Sequence, residues 1–167
     1  MLEQYLKDCG AFKTGEFTLT SGKKSNFYVD IKQASTNPKI LAEIAREMKS
    51  LIKDERRIAG MELGAVPLAV AASLESGLPY VIIRKRERSH GTGKLIEGNM
   101  NPGERILLVE DVTTTGSSLV KAAEIIREAK GIVDRALVVV DREEGATELL
   151  SENGITLVPL VRVSQML

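Results

Sequence analysis

With one cysteine, one histidine, no net charge and no long apolar run, this 167-residue chain excludes several classes of protein before any motif is considered. A lone Cys9 rules out a disulfide framework and a cysteine-rich metal site, and it points to a reducing compartment. No apolar run approaches the roughly 20 residues that a membrane span needs, and the start MLEQYLKDCG lacks the cationic and then apolar order of a secretory leader. A soluble, cytoplasmic protein without a membrane partner is therefore expected. Lysine plus arginine (23) balance aspartate plus glutamate (23), which argues against nucleic acid as a partner, because general polyanion binding draws its affinity from phosphate neutralisation. Charge is instead local: Arg84 to Arg88 reads RKRER, and Glu110 and Asp111 stand together after an apolar run. The length suits one domain, and a chain of this size buries roughly 70% of its unfolded surface without a covalent or metal staple.

From Arg57 onward, short β-branched runs alternate with segments of helical period, the pattern of βαβ units around a mostly parallel sheet flanked by helices. Strands are predicted over 57–63, 80–85, 105–112, 135–141 and 155–161. Helices are predicted over 66–76, 117–130 and 145–153, each with a glycine near its end where a left-handed cap costs least. Ahead of them, EFTLTSGKKSNFYVDIK places two β-like runs around Ser21-Gly22-Lys23, a hairpin signal, and Asn37-Pro38 supplies the N-cap and first position of a helix. The chain thus divides into a small hood over about 1–35 and an α/β core over about 36–167. Between Arg86 and Pro102 no periodicity is visible, and glycines stand at 91, 93 and 98. A stretch of that length inside a compact domain reads as a functional lid, set here at 86–98.

The most informative stretch is LLVEDVTTTGSS, Leu107 to Ser118. It joins an apolar strand, two acids and a run of hydroxyl and small residues before a helix. In an open α/β sheet, ligands bind outside the carboxyl ends of the strands. Thr113 to Ser118 would present backbone N–H groups and hydroxyls to an anion at a positive helix N-terminus, which suits a phosphate monoester. Glu110 and Asp111 would repel that phosphate, so they are better suited to accepting hydrogen bonds from neutral hydroxyls or to standing near a metal. A sugar phosphate offers both groups. Competing motifs fail on their residues: the spacing from Gly98 to Gly103 is followed by Glu104 where a nucleotide P-loop needs lysine, and the GTG at 91–93 lacks the third glycine of a dinucleotide fingerprint.

VEDVTTTGSS resembles the phosphoribosyl pyrophosphate (PRPP) signature of the type I phosphoribosyltransferases. Further stretches narrow the resemblance to the orotate phosphoribosyltransferases: FTLTSGKKSNFYVD (17–30) is similar to their hood, IRKRERSHGTGKLIEG (83–98) to their mobile loop, and VVVDREEGATELLSENGI (138–155) to the strand and helix beside their base pocket. The resemblance implies the type I phosphoribosyltransferase fold and a transfer of ribose 5-phosphate from PRPP to orotate in pyrimidine nucleotide synthesis, with Mg2+ carried on PRPP near Asp111 and no direct protein ligand to the metal assigned. It implies that Glu110 and Asp111 hold the ribose hydroxyls, that Thr113, Thr114, Thr115, Gly116, Ser117 and Ser118 hold the 5'-phosphate, and that Val112 between them belongs to the same PRPP site. Arg84, Lys85, Arg88 and His90 match pyrophosphate contacts, and Arg88, His90 and Asp111 form the expected catalytic set. Arg142 matches the arginine that grips the orotate carboxylate; Thr114, Phe27 and Tyr28 complete the expected base contacts.

The chemistry agrees with this assignment, because cations that close over a departing pyrophosphate stabilise charge that develops only in the transition state. A pair of unit charges about 4 Å apart is worth about 4 kcal/mol at an effective dielectric of about 20, so a closed, drier site gains over an open one. The chain departs from many relatives in having Thr20, Gly64 and Arg88 where lysine is common, and Gly64 is expected to permit an unusual backbone conformation. The resemblance also implies a homodimer whose loops reach across the interface. A transferase for a purine or for uracil, and a non-catalytic PRPP-sensing regulator, are the alternatives; Arg142 argues against the first, since a neutral base does not call for a guanidinium.

Overall fold

A computed structural model of the chain describes residues 1–85 and 94–167. The chain opens with α1 (Leu2–Asp8), continues through an antiparallel hairpin of β1 (Phe12–Thr18) and β2 (Lys24–Val29), and passes a single turn, α2 (Lys32–Ser35), into α3 (Pro38–Leu51). The Asn37 side chain accepts hydrogen bonds from the N–H groups of Lys39 and Ile40, and Pro38 fills the first helical position, as the sequence predicts. Then follow β3 (Arg57–Met61), α4 (Ala65–Ser76), β4 (Tyr80–Ile83), β5 (Ile96–Glu97), β6 (Ile106–Thr113), α5 (Ser117–Glu128), β7 (Arg135–Asp141), α6 (Ala146–Glu152), β8 (Thr156–Arg162) and a closing 3-10 turn, Val163–Gln165.

The central sheet has six strands in the order β5-β4-β3-β6-β7-β8. All pair in parallel except β5, which runs antiparallel to β4 along the edge. The period of two along β6 divides the core. Leu107 and Val109 pack with Ile44 and Met48 of α3 and Leu68 of α4 on one face, whereas Ile106 and Leu108 pack with Leu119 and Ile126 of α5 and Leu150 of α6 on the other. A slip of one residue would exchange two differently shaped faces, so the register of β6 is strongly specified. That register carries forward to the acids at its end.

Several expectations need correction. The strand predicted over 57–63 stops at Met61, and that over 80–85 stops at Ile83; the polar residues after them form loops at the site. Of the lid expected over 86–98, residues 86–93 lie outside the described residues; beyond them Ile96 and Glu97 pair with Ile83 and Ile82, a strand too short to show a period. Helices α1 and α2 escaped prediction. After α5 it is Lys130, φ 74°, and not Gly131 that takes the left-handed conformation; Gly131 is needed because a Cβ there would lie 2.6 Å from the Ile126 side chain.

Candidate active site

The carboxyl ends of β3, β4 and β6 converge on one edge of the sheet, and the loops after them carry the polar residues. After β6 the chain turns into α5 through Gly116, whose φ of 89° favours glycine and whose missing Cβ would lie 3.2 Å from Ala146. Among the described residues, the backbone N–H groups of Thr114, Thr115 and Gly116 have no acceptor. Thr114, Thr115, Ser117 and Ser118 are exposed, and the Thr115 hydroxyl lies 3.3 Å from Ser117 Oγ. This is a concave set of donors at the start of a helix of 12 residues, suited to an anion. Thr113 stands apart from it: its side chain is buried at the strand end, and its carbonyl accepts from the N–H of Arg142 at 3.0 Å. Thr113 therefore ties the loop to β7, and its hydroxyl does not face solvent with the others.

Glu110 and Asp111, half-buried, border a cavity of 280 Å³ that Lys32, Glu62, Lys85 and Ser118 also line. Burial, and then the neighbouring Asp111, raise the Glu110 carboxyl from its ordinary 4.5 to about 8. Near neutrality Glu110 thus keeps a proton, can donate as well as accept, and presents no second negative charge beside Asp111. A sugar hydroxyl, itself both donor and acceptor, matches such a pair. The Asp111 carboxylate accepts from the N–H of Val112 at 2.8 Å, while Val112, half-buried, offers only its backbone to the cavity's polar lining.

Cations approach from β4. The N–H of Lys85 donates to Glu62 at 2.7 Å, fixing the loop after β3 to the loop after β4, and the Lys85 side chain reaches the cavity. Arg84 is held on the β5 side, 3.5 Å from Glu97, with its Nε buried and lacking a partner among the described residues. Lys85 and Arg84 thus point to different surroundings, and only Lys85 lines the cavity with the acids. Arg88 and His90 lie outside the described residues.

Arg142 follows β7. Its guanidinium sits 4.4 Å from the ring centre of Phe27, and its Nε donates to Glu144 at 2.9 Å. Phe27 in turn stacks on Phe12 at 6.0 Å. The hairpin is thereby brought onto the end of β7, and a planar cation lies against an aromatic face. Tyr28 is not part of that arrangement. Adjacent strand residues point to opposite faces, so Tyr28 turns away toward Phe17, 5.7 Å between ring centres, and is 41% exposed. Of the two aromatics expected at the base, the structure brings Phe27 alone to Arg142.

Residues 30–154 match the family model described as a phosphoribosyl transferase domain. The orotate phosphoribosyltransferase of Thermoplasma volcanium is 56% identical over 166 residues, covering 99% of both chains. That of Thermoplasma acidophilum is 54% identical, covering 99% of this chain and 95% of its own. The chain belongs to the orotate phosphoribosyltransferase family. Among solved structures, the orotate phosphoribosyltransferase of Aeropyrum pernix superposes with a TM-score of 0.88 at 32% identity, covering 99% of this chain and 96% of that one. The Mycobacterium tuberculosis enzyme in complex with PRPP gives 0.83 at 30% identity, with coverage of 99% and 96%.

In this member of the family, some residues of the site carry no signal that the sequence reading used. Lys32, the first residue of α2, lines the cavity, and Glu62 accepts from the backbone N–H of Lys85. Glu144, two residues after Arg142, orients its Nε; a charge-paired DREE run was the available clue. Gly64 also needs a different account: with φ −61° and ψ −30° its backbone is ordinary helix, and what demands glycine there is the side chain of Asp111.

Proposed function

We propose that the chain transfers the ribose 5-phosphate of PRPP to orotate, giving orotidine 5'-phosphate and pyrophosphate in pyrimidine nucleotide synthesis, as an orotate phosphoribosyltransferase of the cytoplasm. The observation that carries this reading is the pairing of two sites: an anion cradle and hydroxyl-binding acids on the β6 loop, and a stacked guanidinium on the neighbouring β7 loop. In this reading the 5'-phosphate rests on the N–H groups of residues 114–116 and the hydroxyls around them, while Glu110 and Asp111 hold the ribose. The free edge of Arg142 takes the orotate carboxylate with two parallel bonds, and Phe27 backs the cation. The ring nitrogen of orotate then bonds to the anomeric carbon as the bond to pyrophosphate breaks, the electron pair leaving with the pyrophosphate and the proton of the ring nitrogen passing to the pyrophosphate or to solvent. Lys85, with Arg88 and His90 further along the chain, stabilises the negative charge gathering there. Positioning and electrostatics carry the reaction, since the ring nitrogen of orotate is acidic enough to need little help from a general base.

The residues present fit a Mg2+ ion brought by the substrate. Among the described residues no group of three or more His, Cys, Asp or Glu side chains forms a metal site, but the hard oxygens of Asp111 border the cavity where a diphosphate would lie. Bound with PRPP, the ion would neutralise the leaving group. A homodimer with loops shared across the interface completes the proposal; Leu63 (72% exposed), two residues before the largely apolar α4, and Leu74 (82%), in its last turn, are among the exposed side chains that such an interface would cover.

The test is the fall in orotate absorbance on mixing the protein with orotate, PRPP and Mg2+, with hypoxanthine and uracil as rival acceptors. Turnover with orotate alone supports the reading. Turnover with a neutral base instead, or PRPP binding without turnover on any base, overturns it in favour of another transferase or a sensor.

A further inference from the structure

We infer that Gly64 is a positioning residue for the donor, kept without a side chain so that the Asp111 carboxylate can seat against the first turn of α4. The inference rests on the proposed role of Asp111 in holding the ribose.

Glycine at 64 is not explained by its backbone. Its φ and ψ of −61° and −30° are those any residue adopts at a helix start, and alanine in such a place is ordinarily neutral or stabilising. The explanation is spatial. A Cβ at 64 would overlap Oδ2 of Asp111 outright and lie 2.7 Å from its Cγ and 3.2 Å from Oδ1. The alternation along β6 places Asp111 on the same face as Leu107 and Val109, the face on which α4 packs. Nearby, Gly60 serves a separate approach: a Cβ there would lie 2.8 Å from the carbonyl of Ala65, so β3 and the start of α4 come together because position 60 is bare.

The two oxygens of Asp111 are therefore held differently. Oδ1 accepts from the N–H of Val112 at 2.8 Å, and Oδ2 rests against Gly64. A side chain at 64 would press on Cγ and Oδ2 and turn the Asp111 carboxylate out of the seat it has here, so relatives with lysine at this position hold the carboxylate in another way. Leu63 and Glu62 could vary without this penalty, since neither is in contact with the carboxylate in this way. Gly64 touches no reacting atom; it acts through Asp111.

A double-mutant cycle tests this, read as kcat/KM for PRPP from the linear rise at subsaturating PRPP, which stays measurable in weak variants. Gly64→Ala is expected to lower it by about tenfold to a hundredfold, the scale of a displacement of roughly 1 Å at a reacting centre, while the orotate KM changes by less than about twofold. In the Asp111→Ala background, where no carboxylate is left to displace, the same substitution should cost less than about twofold. An equal loss in both backgrounds would mean a general disturbance of the loop and overturn the inference, as would a fully active Gly64→Ala. If Asp111→Ala alone keeps normal kcat/KM, the role of Asp111 itself falls and takes this inference with it. A crystal structure of Gly64→Ala gives a readout independent of turnover: Asp111 still bonded to the Val112 N–H with Oδ2 in place would refute the argument.

Discussion

Replacing Arg142 by alanine should separate the two substrates. The guanidinium uses Nε on Glu144 at 2.9 Å and its face on Phe27 at 4.4 Å, leaving the two terminal nitrogens for a carboxylate. A charge-assisted pair of this kind contributes about 1.5–3 kcal/mol. At 1.36 kcal/mol per factor of ten, its loss corresponds to a rise of about 10- to 150-fold in the orotate KM. The fold should tolerate the change. The stacked cation contributes about 0.5–2 kcal/mol, and Glu144, whose side chain is 45% exposed, can return to water when its partner is gone. PRPP should be unaffected, because among the described residues the hydrogen bond from Arg142 to the end of β6 is made by its backbone N–H to Thr113, which alanine retains. The assay is steady-state orotate consumption with each substrate varied in turn, alongside a thermal melt. An orotate KM within about threefold of the parent would remove Arg142 from the base site, and an equal rise in the PRPP KM would show that the substitution had collapsed the loop instead.

Further outcomes follow from the same geometry. Asp111→Asn should raise the PRPP KM by at least about tenfold with the orotate KM unchanged; normal saturation by PRPP would contradict its proposed role. Gly116→Ala must strain a φ of 89° and press on Ala146, so the melting temperature should fall together with PRPP affinity, and a variant as stable as the parent would show that the turn is not constrained as described. Glu110, raised from 4.5 to about 8 by burial and by Asp111, holds in the folded state a proton that the unfolded chain has released between those values. Its contribution to stability is thus fully present below about 4.5 and is lost as pH rises to about 8. The permanently neutral Glu110→Gln should flatten the decline in melting temperature between pH 5 and pH 8, and an unchanged slope in the variant would mean that Glu110 ionises normally.

The parallel core was legible because buried strands such as ILLV and ALVVV announce themselves as continuous apolar runs between segments of helical period. The short elements were not: β5 has two residues and α2 has four, both below the length at which a period can be seen. The acids and the hydroxyl loop could be read as a donor site because they are contiguous in sequence. What escaped was every relation that needs a second segment. Phe27 and Tyr28 look equivalent until the pleat assigns one to Arg142 and the other to Phe17, and Gly64 looks like a backbone device until Asp111 is placed beside it.

The stacking of Phe27 under Arg142 has a consequence for how such a protein can change. In the proposed reading the sugar phosphate of the donor is held by one unbroken segment, residues 110–118, whereas the acceptor is held where a hairpin near one end of the chain meets a loop near the other. Substitutions in the hairpin alone can reshape the floor beneath the acceptor without disturbing a single group that holds the sugar phosphate. Acceptor choice is thus a detachable module, open to drift, duplication or grafting, while the donor segment tolerates no comparable rearrangement.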